Sequence, residues 1–451
     1  MLDALSSFIA FIIAIGVLVT VHEFGHYIVG RWCGMRVLRF SIGFGKPLWT
    51  RIGAAPDRTE YCVAAIPLGG YVRFLDSREA EIAPQDAGRA FDHRPVPQRI
   101  AVLLAGPAFN FVFAIVAYWG LFVYGVPTPL PAIGDVEPGS PAAAAGLEHG
   151  DRILAVGDRQ TEDWESALVA ILSQVVADGE VTLRLSDTAG RERTAVLDVG
   201  EDTQRLTEPG LLFEGLGFEP WQPPAVVGEV AAGGAAAAAG IQSGDRIVAI
   251  DDEPVRGFAG LQNAVSGRPG EAVVVDVDRG GEALSFDVVL DTYEEDGGAV
   301  GRLGVGAVAS VQGYFHNRQY GPLESVARAT ERTWASTAFT VNMLGRMLVG
   351  DVSIKNISGP INIAQFAGAS VQAGLERFID FLAIVSISLG VLNLIPVPVL
   401  DGGQIVYQLI ELAKGSPLSE RAQLLGQQVG IFALLLIMSF AFYNDIARLL
   451  G

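Results

Sequence analysis

Residues 5–29 read Leu5-Ser-Ser-Phe-Ile-Ala-Phe-Ile-Ile-Ala-Ile-Gly-Val-Leu-Val-Thr-Val-His-Glu-Phe-Gly-His-Tyr-Ile-Val29. Crossing a bilayer core takes roughly 20 mostly apolar residues, so this stretch predicts a membrane span. His22, Glu23 and His26 interrupt it. Ionisable groups at such a depth cost roughly 3 kcal/mol each unless they pair, bind or face water, so they mark a working site. Positions four apart share a helix face. His22 and His26 can therefore hold one zinc ion, with Glu23 beside it to take a proton from water. The plainer reading is a His–Glu cluster that packs helices.

Three further apolar segments follow, Ile100–Val126, Phe378–Leu400 and Val429–Phe442; the last needs its flanks, Leu424–Tyr443, to reach spanning length. Half of the 451 residues are hydrophobic, and the mean hydropathy is +0.37. The expected fold is an α-helical polytopic membrane protein of about four spans. A signal-peptide reading of Leu5–Thr20 fails on two counts: no Lys or Arg precedes it, and no small-residue cleavage site follows before His22.

Charge divides the chain. Residues 31–99 hold 11 Lys+Arg against 7 Asp+Glu, whereas residues 126–370 hold 16 against 35. Lys and Arg beside spans mark the cytoplasmic side, which puts 31–99 inside and the central block outside. A net charge of −19 argues against nucleic acid as a partner. Cys33 and Cys62 both fall in the cytoplasmic block and imply no disulfide framework.

The central block repeats itself. Residues 136–155 (Val-Glu-Pro-Gly-Ser-Pro-Ala-Ala-Ala-Ala-Gly-Leu-Glu-His-Gly-Asp-Arg-Ile-Leu-Ala) recur as 230–249 (Val-Ala-Ala-Gly-Gly-Ala-Ala-Ala-Ala-Ala-Gly-Ile-Gln-Ser-Gly-Asp-Arg-Ile-Val-Ala) without a gap. A repeat of that length is a whole small domain. Each copy predicts a strand, a short Ala-rich helix, a Gly-Asp turn, an apolar strand, a second helix near Glu165–Ile171 or Phe258–Val265, and Val/Leu-rich strands. This pattern resembles the bacterial, circularly permuted PDZ domain over about 126–220 and 222–308. The resemblance implies that the turns Gly215-Leu216-Gly217-Phe218 and Leu303-Gly304-Val305 offer N–H groups to peptide C-termini. Alternatively, these glycines only serve tight turns.

Residues 322–350 read as an amphipathic helix, and Ser358-Gly-Pro360 breaks the chain before the third apolar segment. That segment ends Leu392-Asn-Leu-Ile-Pro-Val-Pro-Val-Leu-Asp-Gly-Gly403. Asp401 is a candidate third metal ligand or a helix cap. Pro396 and Pro398 open the backbone, which lipid tolerates only where it lines a cavity or is buried in protein. Asn393 either hydrogen-bonds a substrate backbone or joins helices.

Taken together, His-Glu-Phe-Gly-His in the first span, Asn-Leu-Ile-Pro-Val-Pro-Val-Leu-Asp-Gly-Gly in a late one and the repeats between them resemble the site-2 protease family of intramembrane metalloproteases. Gly43-Phe-Gly45, Pro67-Leu-Gly-Gly-Tyr-Val72, Arg99 to Asn110 with Ala105-Gly-Pro107, and Ser358-Gly-Pro-Ile361 are shared marks. The resemblance implies Zn2+ on His22, His26 and Asp401, with Glu23 as general base. It also implies second-step cleavage of single-span substrates of the anti-sigma factor type, and of remnant signal peptides, in the bacterial inner membrane. A PDZ scaffold or chaperone in the bilayer with a vestigial metal site is the non-enzyme reading.

A helical substrate hides its carbonyls in internal hydrogen bonds, so an extended template beside the zinc is expected. Thr59–Ile66 and Tyr71–Leu75 predict a cytoplasmic-side β-hairpin around Gly69-Gly70, leaning on the membrane surface or the Gly43–Gly45 loop. Substrate-binding candidates are accordingly Asn393, Gly43, Phe44, Gly45, Tyr71 and Val72. The expected domains are 1–125 (two spans and hairpin), 126–220 and 221–308 (the PDZ-like copies), 309–375 (amphipathic helix and connector) and 376–451 (two spans with the Leu-Asp-Gly-Gly element).

Overall fold

The computed structural model describes residues 2–78, 81–200, 203–208, 210–295, 298–307, 315–353, 355 and 357–450. The expected boundary between the second repeat and the connector, at 308–309, lies outside the described residues. The chain forms two compact units, 127–317 and, apart from the first two residues, the remainder.

The membrane unit is built on long apolar helices. Three of them, Leu5–Trp32, Val96–Tyr124 and Glu420–Arg448, are long and apolar enough to cross a bilayer, among the described residues. The helix in the third apolar segment runs Leu375–Asn393, shorter than the expected Phe378–Leu400. Glu376, Arg377 and Asp380 charge its first turns, and residues 394–400 leave the helix ahead of Asp401. The second long helix packs Ala114, Tyr118, Leu121 and Phe122 against Ala383, Ile387 and Val391 of this one and against Ala329 of helix Pro322–Val349. The last helix (Glu420–Leu450) is tied at its far end. Its buried Asp445 accepts the N–H groups of Gly359, Ile361 and Asn362 at 2.9, 3.0 and 3.1 Å. These are orphan donors at the start of helix Pro360–Gln372.

The hairpin expectation is corrected. The two β-prone runs do not pair with each other. They form one strand, Glu60–Phe74, paired with Val37–Ile52. Phe40 faces both Val72 and Tyr61, and Ile42 faces both Gly70 and Val63. Residues 37–42 are thus inserted between 70–74 and 60–63. Beyond the bend, Thr50 and Ile52 face Cys62 and Glu60. The bend uses Gly43 and Gly45, at φ of 90° and 85°, where a side chain would be strained. The sheet's two edges are therefore 70–74 and 47–52, and residues 61–63 are interior.

In the other unit each repeat closes its own core. One contains Ile133, Ile153, Ile171, Leu183 and Leu197; the other contains Val227, Ile247, Leu261, Val275 and Val288. The second helices stand at Trp164–Asp178 and Gly257–Ser266. The recurring Gly-Asp turn has one role in both copies. Asp151 accepts from Glu148 N and Arg193, and Asp245 from Gln242 N and Arg279. Both carboxylates are buried. Hydrogen bonds from the Arg279 guanidinium hold the Asp245 carboxyl below the usual range.

Candidate metal centre

The first helix, Leu2–Trp32, places His22 and His26 one turn apart. The second, Val96–Tyr124, meets it through glycine on both sides. A Cβ on Gly25 would collide with the Ala105 carbonyl. One on Gly106 would collide with His26 Nε2 and come within 2.8 Å of His22 Cε1. The second helix also orients both rings. Val102 C=O lies 2.8 Å from His26 Nδ1, and Asn110 Nδ2 lies 3.2 Å from His22 Nδ1. A ring held at Nδ1 presents Nε2 in a fixed direction.

Asp401 is the first residue of helix Asp401–Lys414. Gly402 and Gly403 explain how it arrives there. Side chains at either position would strike the backbone of 394–398, so the helix start folds directly onto the irregular segment. Pro398 in turn packs against Gly430 of the last helix, within 3.4 Å of where a Cβ would stand. At the other end of helix Asp401–Lys414, Glu411 takes a two-pronged bond from Arg99 at 3.0 and 2.6 Å. Arg99 lies three residues before Val102, so this ion pair fastens the helix bearing Asp401 to the helix that orients the histidines.

The three side chains converge. His22 Nε2 and His26 Nε2 are 3.2 Å apart, and Asp401 Oδ2 lies 3.2 Å from the first and 3.4 Å from the second. A tetrahedral ion with bonds of roughly 2.0–2.1 Å requires ligand atoms about 3.3–3.4 Å apart. The donor set, two imidazoles and a carboxylate, is also that of a hydrolytic zinc site. The residues present fit the ion.

Glu23 borders the same 430 Å³ cleft, which extends past Tyr71 and Val72 to Asp76 and Phe91. Val72 lies along the cleft with Glu23. Gly70 lets the sheet edge come this close: a Cβ there would stand 2.8 Å from Val19 Cγ1 and 3.2 Å from Glu23 Cγ. Of the candidate substrate contacts, Asn393, Tyr71 and Val72 line the cleft, whereas Gly43, Phe44 and Gly45 do not. Phe44 instead stacks on Tyr71 at 6.1 Å.

The turns expected to bind peptide C-termini lie in the other unit. Gly215 and Leu216 end helix Leu211–Leu216, and Gly217 N–H closes it on Phe213 O at 2.8 Å. Leu216 and Phe218 are buried in the first core, and Phe218, Phe213 and Trp164 form an aromatic cluster. Leu303 is buried in the second core, Gly304 O accepts from Ala231 N, and Val305 pairs with Val230.

The roles of Gly106, Asn110 and the Arg99–Glu411 pair escaped the sequence reading. The signal for Asn110 is an amide inside an apolar span, one turn from a glycine.

The sequence model of peptidase family M50 matches residues 10–437. The chain is 42% identical to the regulator of sigma E protease of Salmonella typhi, and 40% identical to the regulator of sigma-E protease RseP of Escherichia coli, each over 100% of both chains. A Vibrio cholerae relative whose name places it with the zinc metalloproteases is 40% identical, again over both full lengths.

Proposed function

Because the chain belongs to peptidase family M50, the site-2 proteases, and is a metalloendopeptidase of the membrane, we propose that His22, His26 and Asp401 hold its zinc and that Glu23 is its general base. The observation that carries this reading is the triangle of ligand atoms, 3.2–3.4 Å on a side, with Glu23 beside it. When bound, zinc supplies a Lewis acid for the scissile carbonyl and lowers the pKa of water to roughly 7. Glu23 takes the proton of the attacking water as the C–O bond forms. It returns the proton to the amine as the C–N bond breaks. A vestigial site on a PDZ scaffold does not require ligand atoms at metal-binding separations.

The substrates proposed are single-span membrane proteins of the anti-sigma factor type, already cut outside the membrane, together with remnant signal peptides. This rests on the relatives' names and on the cleft reaching a β-edge. The bacterial inner membrane is crossed about four times, Leu375–Asn393 supplying the additional span. Residues 31–99 lie in the cytoplasm and the PDZ-like copies in the periplasm, where they bind peptide C-termini or exclude untrimmed substrates.

Metal analysis tests the site. Wild-type protein should carry one zinc. Asp401→Asn should lower zinc affinity by more than the roughly 10–100-fold that outer-shell changes cost, because the amide brings no charge. Normal zinc content and turnover in that variant would put the third ligand elsewhere.

The sheet edge is proposed to hold the unwound substrate by strand addition. Proline placed singly at Tyr71, Val72 or Arg73 should slow cleavage of helical substrates roughly tenfold, the equivalent of one or two backbone hydrogen bonds of about 1 kcal/mol each. Zinc content should stay normal. Substrates with helix-breaking residues at the cut site should suffer less. Unchanged rates in all three variants would free the edge from that role.

A further inference from the structure

Asn110 is fully buried, at 0% exposure, in the middle of an apolar helix. Its Nδ2 faces His22 Nδ1 at 3.2 Å, while its Oδ1, also buried, has no hydrogen-bond partner among the described residues. Ser386 Oγ donates to the Asn110 backbone carbonyl at 2.9 Å, fixing the helix at this position. A buried amide with an idle carbonyl is costly.

On the reading that His22 Nε2 is a zinc ligand, that nitrogen carries no proton. The ring proton then sits on Nδ1, and Nδ1 is a donor. His26 already meets this condition, since its Nδ1 faces the Val102 carbonyl, an acceptor. His22 needs an acceptor too, and Asn110 is the residue in place. The two ends of an amide have the same shape. A half-turn brings Oδ1 onto the His22 ring and gives the idle carbonyl its donor.

We propose that Asn110 is a positioning residue for the metal centre: its carbonyl accepts from His22 Nδ1–H, and so locks the tautomer and direction in which Nε2 meets the ion. Asn110 touches neither substrate nor metal; it acts through His22.

Asn110→Asp, Asn110→Leu and Asn110→Ala of the full chain, purified in detergent, separate the cases. Zinc affinity is read by competition with a graded chelator, and thermal stability is read on the metal-free forms. Asn110→Asp keeps an acceptor and should bind zinc as well as wild type or better. Asn110→Leu keeps the volume and loses the acceptor; it and Asn110→Ala should bind 10–100-fold more weakly. If Ala does not fold, the nearly isosteric Asp and Leu variants decide. Leu or Ala binding within twofold of wild type overturns the proposal. So does Asp binding as weakly as Leu, because that pattern means the amide serves as a donor. His22→Ala separates this from a failure of the site itself. Zinc lost there but kept in Asn110→Leu removes only the role of Asn110. Zinc kept in His22→Ala removes the site on which the proposal rests.

Discussion

Glu23→Gln should leave the zinc in place and stop cleavage. Gln matches Glu in volume and keeps one carbonyl oxygen as an acceptor. The ligand triangle does not include position 23, so its separations survive. What is lost is proton affinity. A neutral amide does not take the proton of the attacking water and has none to hand to the leaving amine. General acid–base catalysis contributes roughly 10²- to 10⁴-fold, and in the proposed mechanism one group serves both transfers, so turnover should fall by about 10⁴-fold. The measurement pairs zinc content with single-turnover cleavage of a transmembrane peptide. Zinc at one per chain with cleavage within tenfold of wild type would remove Glu23 from the role. Loss of zinc would mean that position 23 supports the ligands instead.

What was legible in the sequence follows the range of the signal. His22 and His26 are joined by helical periodicity, a local rule, and the structure brings them together as that rule requires. The repeats were legible because an ungapped internal copy needs no tertiary knowledge, and Asp151 and Asp245 do occupy equivalent turns. The hairpin reading failed where a local signal met a non-local competitor. Gly69-Gly70 suggests that its flanks pair, yet residues 37–42 offer both flanks a partner, and two ladders on one central strand bury more backbone than one hairpin. The third apolar segment misled in a similar way. Hydropathy runs through Leu400, but Pro396 and Pro398 cannot continue a helix, and the chain leaves it at Asn393 to bring Asp401 round. Gly106 carries no local signal of its task, and Asn110, an amide in an apolar span, signals a role without naming its partner. Each finds its partner only when the first helix is laid against the second.

Gly106→Ala is the smallest change expected to empty the site. In most helices the substitution is favourable by up to about 1 kcal/mol, since Ala loses less backbone freedom on folding. Gly120 in the same helix has nothing among the described residues within 4 Å of an added Cβ, so Gly120→Ala should be neutral or stabilising and is the matched control. At Gly106 the new methyl would stand on the imidazoles, colliding with His26 Nε2 and lying 2.6 Å from His26 Cε1 and 2.8 Å from His22 Cε1. Neither ring can step aside cheaply. His26 is held at Nδ1 by Val102 C=O from the same helix, and His22 by Asn110 one turn along. Relief must come from rotating a ring off its ligand direction or from parting the helices, and Gly25 against Ala105 resists a shift at that crossing. Overpacking of this kind costs roughly 1–3 kcal/mol. In the metal-free protein that is a modest loss, and the melting temperature should fall by a few degrees. In the zinc form the strain falls on the ligand geometry. Zinc affinity should drop by at least about 100-fold, the upper end of what outer-shell disruption costs, and cleavage should disappear with it. Titration of both variants against one chelator gives the comparison. Wild-type zinc affinity in Gly106→Ala would mean that the second helix stands farther from the histidines than the packing at Gly106 requires.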